Sequence, residues 1–138
     1  MGGASNGSAS VSLTAVHVLV VDDSPEVLET LVEMLETTGA RVSAVGTAHE
    51  ALALVQQLRP DVLLSDFEMP EHDGLWLIDQ VRKLSPEHGG STPAACLTAL
   101  TGPEDVARVL RAGFQYHVSK PVDLDQLWGI VAILALKP

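Results

Sequence analysis

Five short apolar runs recur along the chain, and a stretch with helical spacing follows each of them. Runs one and three are almost unbroken Val and Leu, which is typical of strands that are covered on both faces. Strands that alternate with helices predict an α/β fold of the (βα)5 type, a three-layer sandwich with a parallel five-stranded sheet in the middle. The runs cover residues 15–21, 41–45, 61–65, 93–98 and 116–119.

The stretches between the runs carry start and stop signals for helices. Ser24 can cap a helix that has Pro25 at its first position. Thr47 and Glu50 form a capping box, and the helix that they open should stop before Pro60. The five predicted helices cover residues 25–38, 48–59, 75–84, 103–112 and 124–136.

The fifth predicted helix is aliphatic on two sides. Ile133 and Leu136 fall on the same side as Asp125 and Gln126, where a solvated helix is polar. They are either stray exposed aliphatics or part of a surface for a partner. The broad face that we expect to pack on the sheet holds Leu124, Leu127, Ile130, Val131 and Leu134.

Length and composition limit the classes of protein. The 138 residues are enough for one domain with a core, and we assign residues 15–138 to it. Residues 1–14 are rich in Gly, Ser and Ala and are predicted to be a flexible linker or a remnant of cloning. A net charge of −10 with 8 Lys and Arg argues against nucleic-acid binding. A single cysteine, Cys96, fits a reducing cytoplasm, and no apolar stretch predicts membrane contact.

Residues with reactive or charged side chains follow four of the five strands. In open parallel sheets, the carboxyl ends of the strands form the edge where ligands bind. Three carboxylates, one hydroxyl and one ammonium group are therefore predicted to meet at one edge. They belong to Asp22 and Asp23 after strand one, Asp66 after strand three, Thr98 after strand four and Lys120 after strand five.

Three adjacent carboxylates repel one another unless a hard cation compensates their charge. Magnesium prefers oxygen ligands, usually one or two carboxylates together with water and phosphate oxygens. The pattern at the sheet edge therefore predicts a Mg²⁺-assisted phosphoryl-transfer site.

Four motifs in this order, "VLVVDDS", "LLSDFEMPEHDGL", "LTA" and "KPVD", resemble the signatures of response-regulator receiver domains, the CheY-like family. The resemblance covers about residues 16 to 136. It implies the flavodoxin-like strand order 2-1-3-4-5. It also implies a role in two-component signal transduction and a histidine kinase or a histidine phosphotransfer protein as the partner.

The resemblance implies a role for each site residue. Asp66 would accept a phosphoryl group from a phosphohistidine of the partner. Lys120 would neutralise a phosphoryl oxygen, and Thr98 would hydrogen-bond another and start the conformational switch. Asp23 would ligate magnesium directly and Asp22 mainly through water, while Asp66 and the backbone carbonyl of Glu68 would complete the protein ligands.

The chain departs from the family pattern at His117, where members often have Tyr or Phe three positions before the lysine. In having histidine at this position, the chain resembles receivers fused to hybrid sensor histidine kinases. His117 is either a switch residue or simply a partly exposed edge-strand histidine. The resemblance also implies a possible homodimer through the fourth helix, the fifth strand and the fifth helix.

Two other functions compete with that of a phosphoacceptor. One is a Mg²⁺-dependent phosphohydrolase with an aspartyl-phosphate intermediate, although no insertion of the size of a substrate cap is present. The other is a degenerate receiver that only binds proteins, against which the intact set of site residues argues. Whether the domain acts as an enzyme stays open, since a receiver catalyses its own phosphotransfer and a longer parent protein could be a histidine kinase.

Overall fold

The structure, a computed structural model, describes residues 12–136. Five parallel strands form one sheet, and their order is β2-β1-β3-β4-β5. This confirms the predicted (βα)5 fold and the predicted strand order. The strands are β1 (His17–Val21), β2 (Arg41–Val45), β3 (Val62–Asp66), β4 (Ala94–Thr98) and β5 (Tyr116–Ser119).

Helices cover both faces of the sheet and make it the middle layer of three. One face packs against α2, α3 and α4, and the other packs against α1 and α5. All residues of β1, β3 and β4 are buried, which explains their nearly continuous apolar sequence. The helices are α1 (Pro25–Glu36), α2 (Ala48–Leu58), α3 (Gly74–Arg82), α4 (Pro103–Ala112) and α5 (Leu124–Leu134), with a 3-10 turn at Pro86–His88.

Side-chain caps begin the helices where the sequence predicts them. The hydroxyl of Ser24 accepts a hydrogen bond from the Val27 N–H, and Asp123 accepts one from Gln126. The Thr47 hydroxyl accepts the Glu50 N–H at 3.1 Å. These caps satisfy backbone donors that have no partner within their own helix.

Several predicted boundaries need correction. Strand β3 includes Asp66, because Asp66 still pairs in register with Leu97 of β4. The third helix ends at Arg82 and the fifth at Leu134, each two residues earlier than predicted. The first helix ends at Glu36, and the turn through residues 37–39 is not helical.

Two packing predictions are also wrong. Leu124, which was expected on the buried face of α5, is the first residue of that helix and is 39% exposed. Leu13, which was assigned to the linker, is buried against the core, and its N–H donates to the carbonyl of Thr38. Ordered packing therefore begins before residue 15. Residues 1–11 lie outside the described part of the chain.

His17 is a buried histidine at the start of β1. Its Nε2 lies 2.8 Å from the Ser43 hydroxyl, and its backbone N–H donates to Asp61. Burial lowers the pKa of His17, the positive charge of Arg41 lowers it further, and Asp61 opposes both. The folded protein therefore holds this ring in its neutral form more strongly than the unfolded chain does.

This lowered pKa predicts a loss of stability in mild acid. The unfolded chain binds a proton at His17 below about pH 6.5, whereas the folded protein resists protonation. The stability from this site is present above that pH and is lost as the pH falls through the folded pKa. We expect His17→Gln to reduce the fall in the free energy of unfolding between neutral and mildly acidic pH, measured by urea denaturation. Equal pH dependence in both proteins would contradict the prediction.

Among residues 12–136, no helix combines the length and the apolar character that a membrane span requires.

Candidate functional site

The candidate site lies at the carboxyl edge of the sheet, where β1 and β3 are neighbours. Asp66 is the last residue of β3, and Asp22 directly follows β1. Both are almost fully buried, with exposed fractions of 6% and 1%. The neighbouring strand β4 ends in Thr98, which is also buried. The topology thus places groups from distant parts of the sequence side by side.

Three carboxylates and one ammonium group form the centre of the site. Asp22, Asp23 and Asp66 each offer an oxygen atom, and these atoms all lie within 4.8 Å of one another. Lys120 Nζ donates to Asp66 Oδ1 at 2.9 Å and to Asp22 Oδ2 at 3.2 Å. Three acidic groups therefore share one cation from the protein, so a negative charge remains that a divalent ion can balance.

The electrostatics of Asp66 and Lys120 reflect this crowding. Burial raises the pKa of Asp66, and repulsion by Asp22 adds to the rise, while the hydrogen bond and charge of Lys120 oppose it. Burial acts to lower the pKa of Lys120, but its ion pairs with Asp66 and Asp22 outweigh burial and raise it. Lys120 is thus held as a cation, whereas ionised Asp66 lacks full compensation from the protein alone.

The loop between β3 and α3 returns the chain beside Asp66. Asp73 caps α3 by accepting the Trp76 N–H at 2.8 Å. A Cβ atom at Gly74 would lie 2.6 Å from the Asp66 carbonyl oxygen, so only glycine allows this close approach. The start of α3 is therefore packed directly on the backbone of Asp66.

A short hydrogen-bonded path connects Thr98 with His117. The Thr98 hydroxyl accepts the Leu100 N–H at 2.9 Å, and the Leu100 carbonyl lies 3.1 Å from His117 Nε2. Because a carbonyl only accepts hydrogen bonds, His117 Nε2 carries the proton in this arrangement. Sequence reasoning singled out His117 but missed this contact, because the path of a loop backbone has no signature in residue types.

The structure brings the predicted site residues together around one cleft. Glu68 lies there with its side chain exposed, and its carbonyl as a ligand stays a prediction. Cys96 lies buried in β4, and burial raises the pKa of its thiol to about 12, which makes it an inert core residue. The cleft is lined by Asp22, Asp23, Ser24, Asp66, Phe67, Glu68, Met69, Pro70, Asp73, Thr98, Ala99 and Lys120.

Comparison with known proteins identifies the family. The family model described as "Response regulator receiver domain" matches residues 18–132, which is most of the chain. The chain belongs to the response-regulator receiver family. It is therefore a receiver domain of two-component signalling, as its motifs indicated. Receiver domains interact with histidine kinases or phosphotransfer proteins and generally bind Mg²⁺ at an acidic pocket, and the described residues include such an acidic cluster.

Relatives of this receiver occur both as short proteins and as parts of long ones. It is 44% identical over 120 residues to an uncharacterized 14.6 kDa protein of Leptolyngbya boryana, covering 87% of this chain and 90% of that protein. It is 36% identical over 127 residues to the sensor histidine kinase AruS of Pseudomonas aeruginosa, covering 92% of this chain but 12% of the kinase. The regulatory protein AtoC of Escherichia coli is 34% identical over 120 residues, which is 86% of this chain and 25% of AtoC.

Solved receivers share the fold. The receiver domain of the Francisella response regulator 1452 superposes with a TM-score of 0.80 at 30% identity, covering 87% of this receiver and 96% of that chain. The receiver domain of the sensor histidine kinase PA1611 from Pseudomonas aeruginosa has a TM-score of 0.79 at 28% identity, with coverage of 87% and 97%. The PA1611 structure has a magnesium ion coordinated in its active-site cleft.

Proposed function

We propose that Asp66 is the phosphoacceptor of this receiver and takes its phosphoryl group from a phosphohistidine of a histidine kinase or phosphotransfer protein. An Asp66 carboxylate oxygen forms the new bond to phosphorus, the bond from phosphorus to the donor imidazole breaks, and the imidazole nitrogen keeps the electron pair. Lys120 stays within reach of the new acyl phosphate and pairs with one of its oxygens. Thr98 donates its hydroxyl hydrogen to another.

The observation that carries this proposal is the position of Lys120 between two buried carboxylates. Its Nζ lies 2.9 Å from Asp66 Oδ1 and 3.2 Å from Asp22 Oδ2, next to the exposed carboxylate of Asp23. Phosphoryl transfer relies on positioning and on charge stabilisation at the phosphoryl oxygens. A cation fixed beside a carboxylate nucleophile meets both needs.

The donor set fits magnesium. Asp22, Asp23 and Asp66 offer hard oxygen ligands on one side of the cleft, and the carbonyl of Glu68 is the fourth proposed ligand. A bound Mg²⁺ supplies positive charge that neutralises phosphoryl oxygens. The raised pKa of Asp66, caused by burial and then by Asp22, supports a site whose carboxylates need a further cation. A cytoplasmic location for this chemistry stays a prediction.

Treatment with acetyl phosphate and Mg²⁺, followed by intact mass measurement, separates the three candidate functions. A phosphoacceptor gains the mass of one phosphoryl group in a Mg²⁺-dependent reaction. A phosphohydrolase turns over phosphomonoesters rapidly and accumulates no adduct. A receiver that only binds proteins does neither, and either of these last two results would contradict the proposal.

We propose that the output passes from Thr98 through Leu100 to His117. When Thr98 turns towards a phosphoryl oxygen, it releases the Leu100 N–H that its hydroxyl now accepts. Movement of the Leu100 backbone then changes the contact between the Leu100 carbonyl and His117 Nε2. The path ends on β5, between α4 and α5, so phosphorylation can alter that surface.

The surface of α4, β5 and α5 is our proposed site for a homodimer or for docking of the kinase. Ile133 is 51% exposed and Leu136 is 74% exposed, as the helical spacing predicted. Leu110 on α4 and Tyr116 on β5 add exposed apolar area. Exposed apolar groups on three adjacent elements favour contact with another protein.

We expect Ile133→Lys combined with Leu136→Glu to weaken self-association without lowering thermal stability. Sedimentation velocity of the phosphorylated protein and thermal denaturation measure the two effects. Leu134→Ala is the control for a core position, because Leu134 is 6% exposed and its truncation should destabilise the core by about 3 kcal/mol. Unfolding of the double variant would show that Ile133 and Leu136 belong to the core and would overturn the prediction.

A further inference from the structure

The loop between β3 and α3 contains a strained turn. The His72 N–H donates to the Pro70 carbonyl at 2.8 Å, two residues earlier, and closes a γ-turn centred on Glu71. Glu71 has a φ of 70°, so this is the rare γ-turn form with positive φ at its centre. Such a backbone persists only where surrounding contacts hold it, and it occurs mainly at functional sites.

One aromatic contact holds the loop directly after the strained residue. The His72 ring stacks on the Trp76 ring of α3, with 3.9 Å between the ring centroids and 14° between the planes. The backbone N–H of Trp76 also donates to Asp73, so Trp76 binds two consecutive loop residues. His49 of α2 lies on the Trp76 ring as well, but at 6.4 Å and from outside the loop.

This loop shapes one wall of the acidic cleft. Glu68, the proposed carbonyl ligand, and Met69 line the cleft on the site side of the turn. On the other side, the Gly74 N–H donates to the Phe67 carbonyl at 2.8 Å and closes the loop at its base. The strained turn therefore belongs to the same short, closed loop as the residues that line the cleft.

We propose that the stacking of His72 on Trp76 holds the β3–α3 loop in its strained form and thereby sets the affinity of the acidic cleft for Mg²⁺. His72 is a positioning residue in this scheme, since it acts through the loop backbone and touches no ligand of the ion. The inference rests on the proposed function, because it takes Asp22, Asp23, Asp66 and the Glu68 carbonyl as the Mg²⁺ site.

The test is calorimetric titration of Mg²⁺ into the wild type and into single variants. We expect His72→Ala to weaken binding roughly two- to tenfold, the range that loss of one aromatic stack produces when it is coupled to binding. His72→Phe keeps the stack and should bind like the wild type. His49→Ala is the matched control, because His49 belongs to α2 and its ring lies 6.4 Å from that of Trp76, so its loss should leave the affinity unchanged.

Hydrogen exchange in the metal-free protein tests the stack of His72 on Trp76, which we call the clamp, independently of the ion. His72→Ala should speed hydrogen exchange of the backbone amides at positions 72 and 74. Amides in the central strands should keep the protection that they have in the wild type. Should His72→Ala fail to fold, His72→Gln removes the ring with less loss of volume and carries the same expectations.

A double variant tests the role of strain. Glycine adopts positive φ at no steric cost, so in a Glu71→Gly background the turn needs the clamp less. We expect His72→Ala to cost clearly less Mg²⁺ affinity in that background than alone. An equal loss in both backgrounds would overturn the role of strain.

Mg²⁺ binding by the wild type and by His72→Ala distinguishes failure of the proposed function from failure of the proposed stacking role. Wild-type protein that binds no Mg²⁺ would overturn the proposed function and this inference with it. If the wild type binds Mg²⁺ and His72→Ala has the same Mg²⁺ affinity and the same hydrogen exchange in the loop, the inference alone is overturned.

Discussion

Asp66→Asn should abolish phosphorylation by acetyl phosphate and make the metal-free protein more stable. Asparagine keeps the shape of the side chain but removes the nucleophilic carboxylate. Burial and repulsion by Asp22 raise the pKa of Asp66, so the ionised form costs folding free energy at neutral pH despite its bond to Lys120. We expect the free energy of unfolding to increase by about 1 kcal/mol.

Urea denaturation with and without Mg²⁺ checks the change in stability. Mg²⁺ should stabilise the wild type more than the Asp66→Asn variant, because only the wild type has the full set of carboxylates. Asp125→Asn removes an exposed carboxylate from α5 and should change neither stability nor phosphorylation. Phosphorylation of Asp66→Asn at the wild-type rate would show that another residue is the acceptor.

Lys120→Ala should have the opposite effect on stability. It leaves Asp22 and Asp66 facing each other with no lysine between them, and the side chain of Asp22 is only 1% exposed. The raised pKa of Lys120, which its pairs with Asp66 and Asp22 cause against the effect of burial, means that its charge stabilises the fold at neutral pH. We expect a loss of about 2 kcal/mol in the metal-free protein, in part recovered with Mg²⁺.

Magnesium binding should survive in Lys120→Ala, since the variant loses a competing cation and no ligand. The conformational response should be lost, so NMR shifts of Thr98 and His117 should change little on phosphorylation. Lys83→Ala is the control, because Lys83 pairs with Asp79 at 3.1 Å on the surface and its loss should cost little. A wild-type conformational response in Lys120→Ala would contradict the role given to Lys120.

The sheet and the site were predictable because both depend on patterns within single segments. Buried strands such as β1 and β3 have nearly unbroken apolar sequences, and parallel topology brings their carboxyl ends to the same edge of the sheet. The placing of Asp66 beside Asp22 also needed the strand order, which the resemblance to receiver domains implied. The Lys120 motif identified the cation in the same way.

Other features depend on contacts that the sequence does not encode locally. The burial of Leu13 depends on the turn after α1, where the Leu13 N–H donates to the carbonyl of Thr38. The stack of His72 on Trp76 joins a loop to a helix, and neither residue has a spacing that predicts it. The sequence also gives no signal for the positive φ of Glu71, because glutamate rarely adopts a positive φ.

Direct mapping of the phosphorylated residue tests the central claim. The wild type is treated with acetyl phosphate and Mg²⁺, the acyl phosphate is reduced with borohydride, and the modified residue is located by peptide mass spectrometry. We predict modification at Asp66 that depends on Mg²⁺ and is absent from Asp66→Asn. Modification at Asp22, Asp23 or any other residue, or equal labelling without Mg²⁺, would contradict the proposed site.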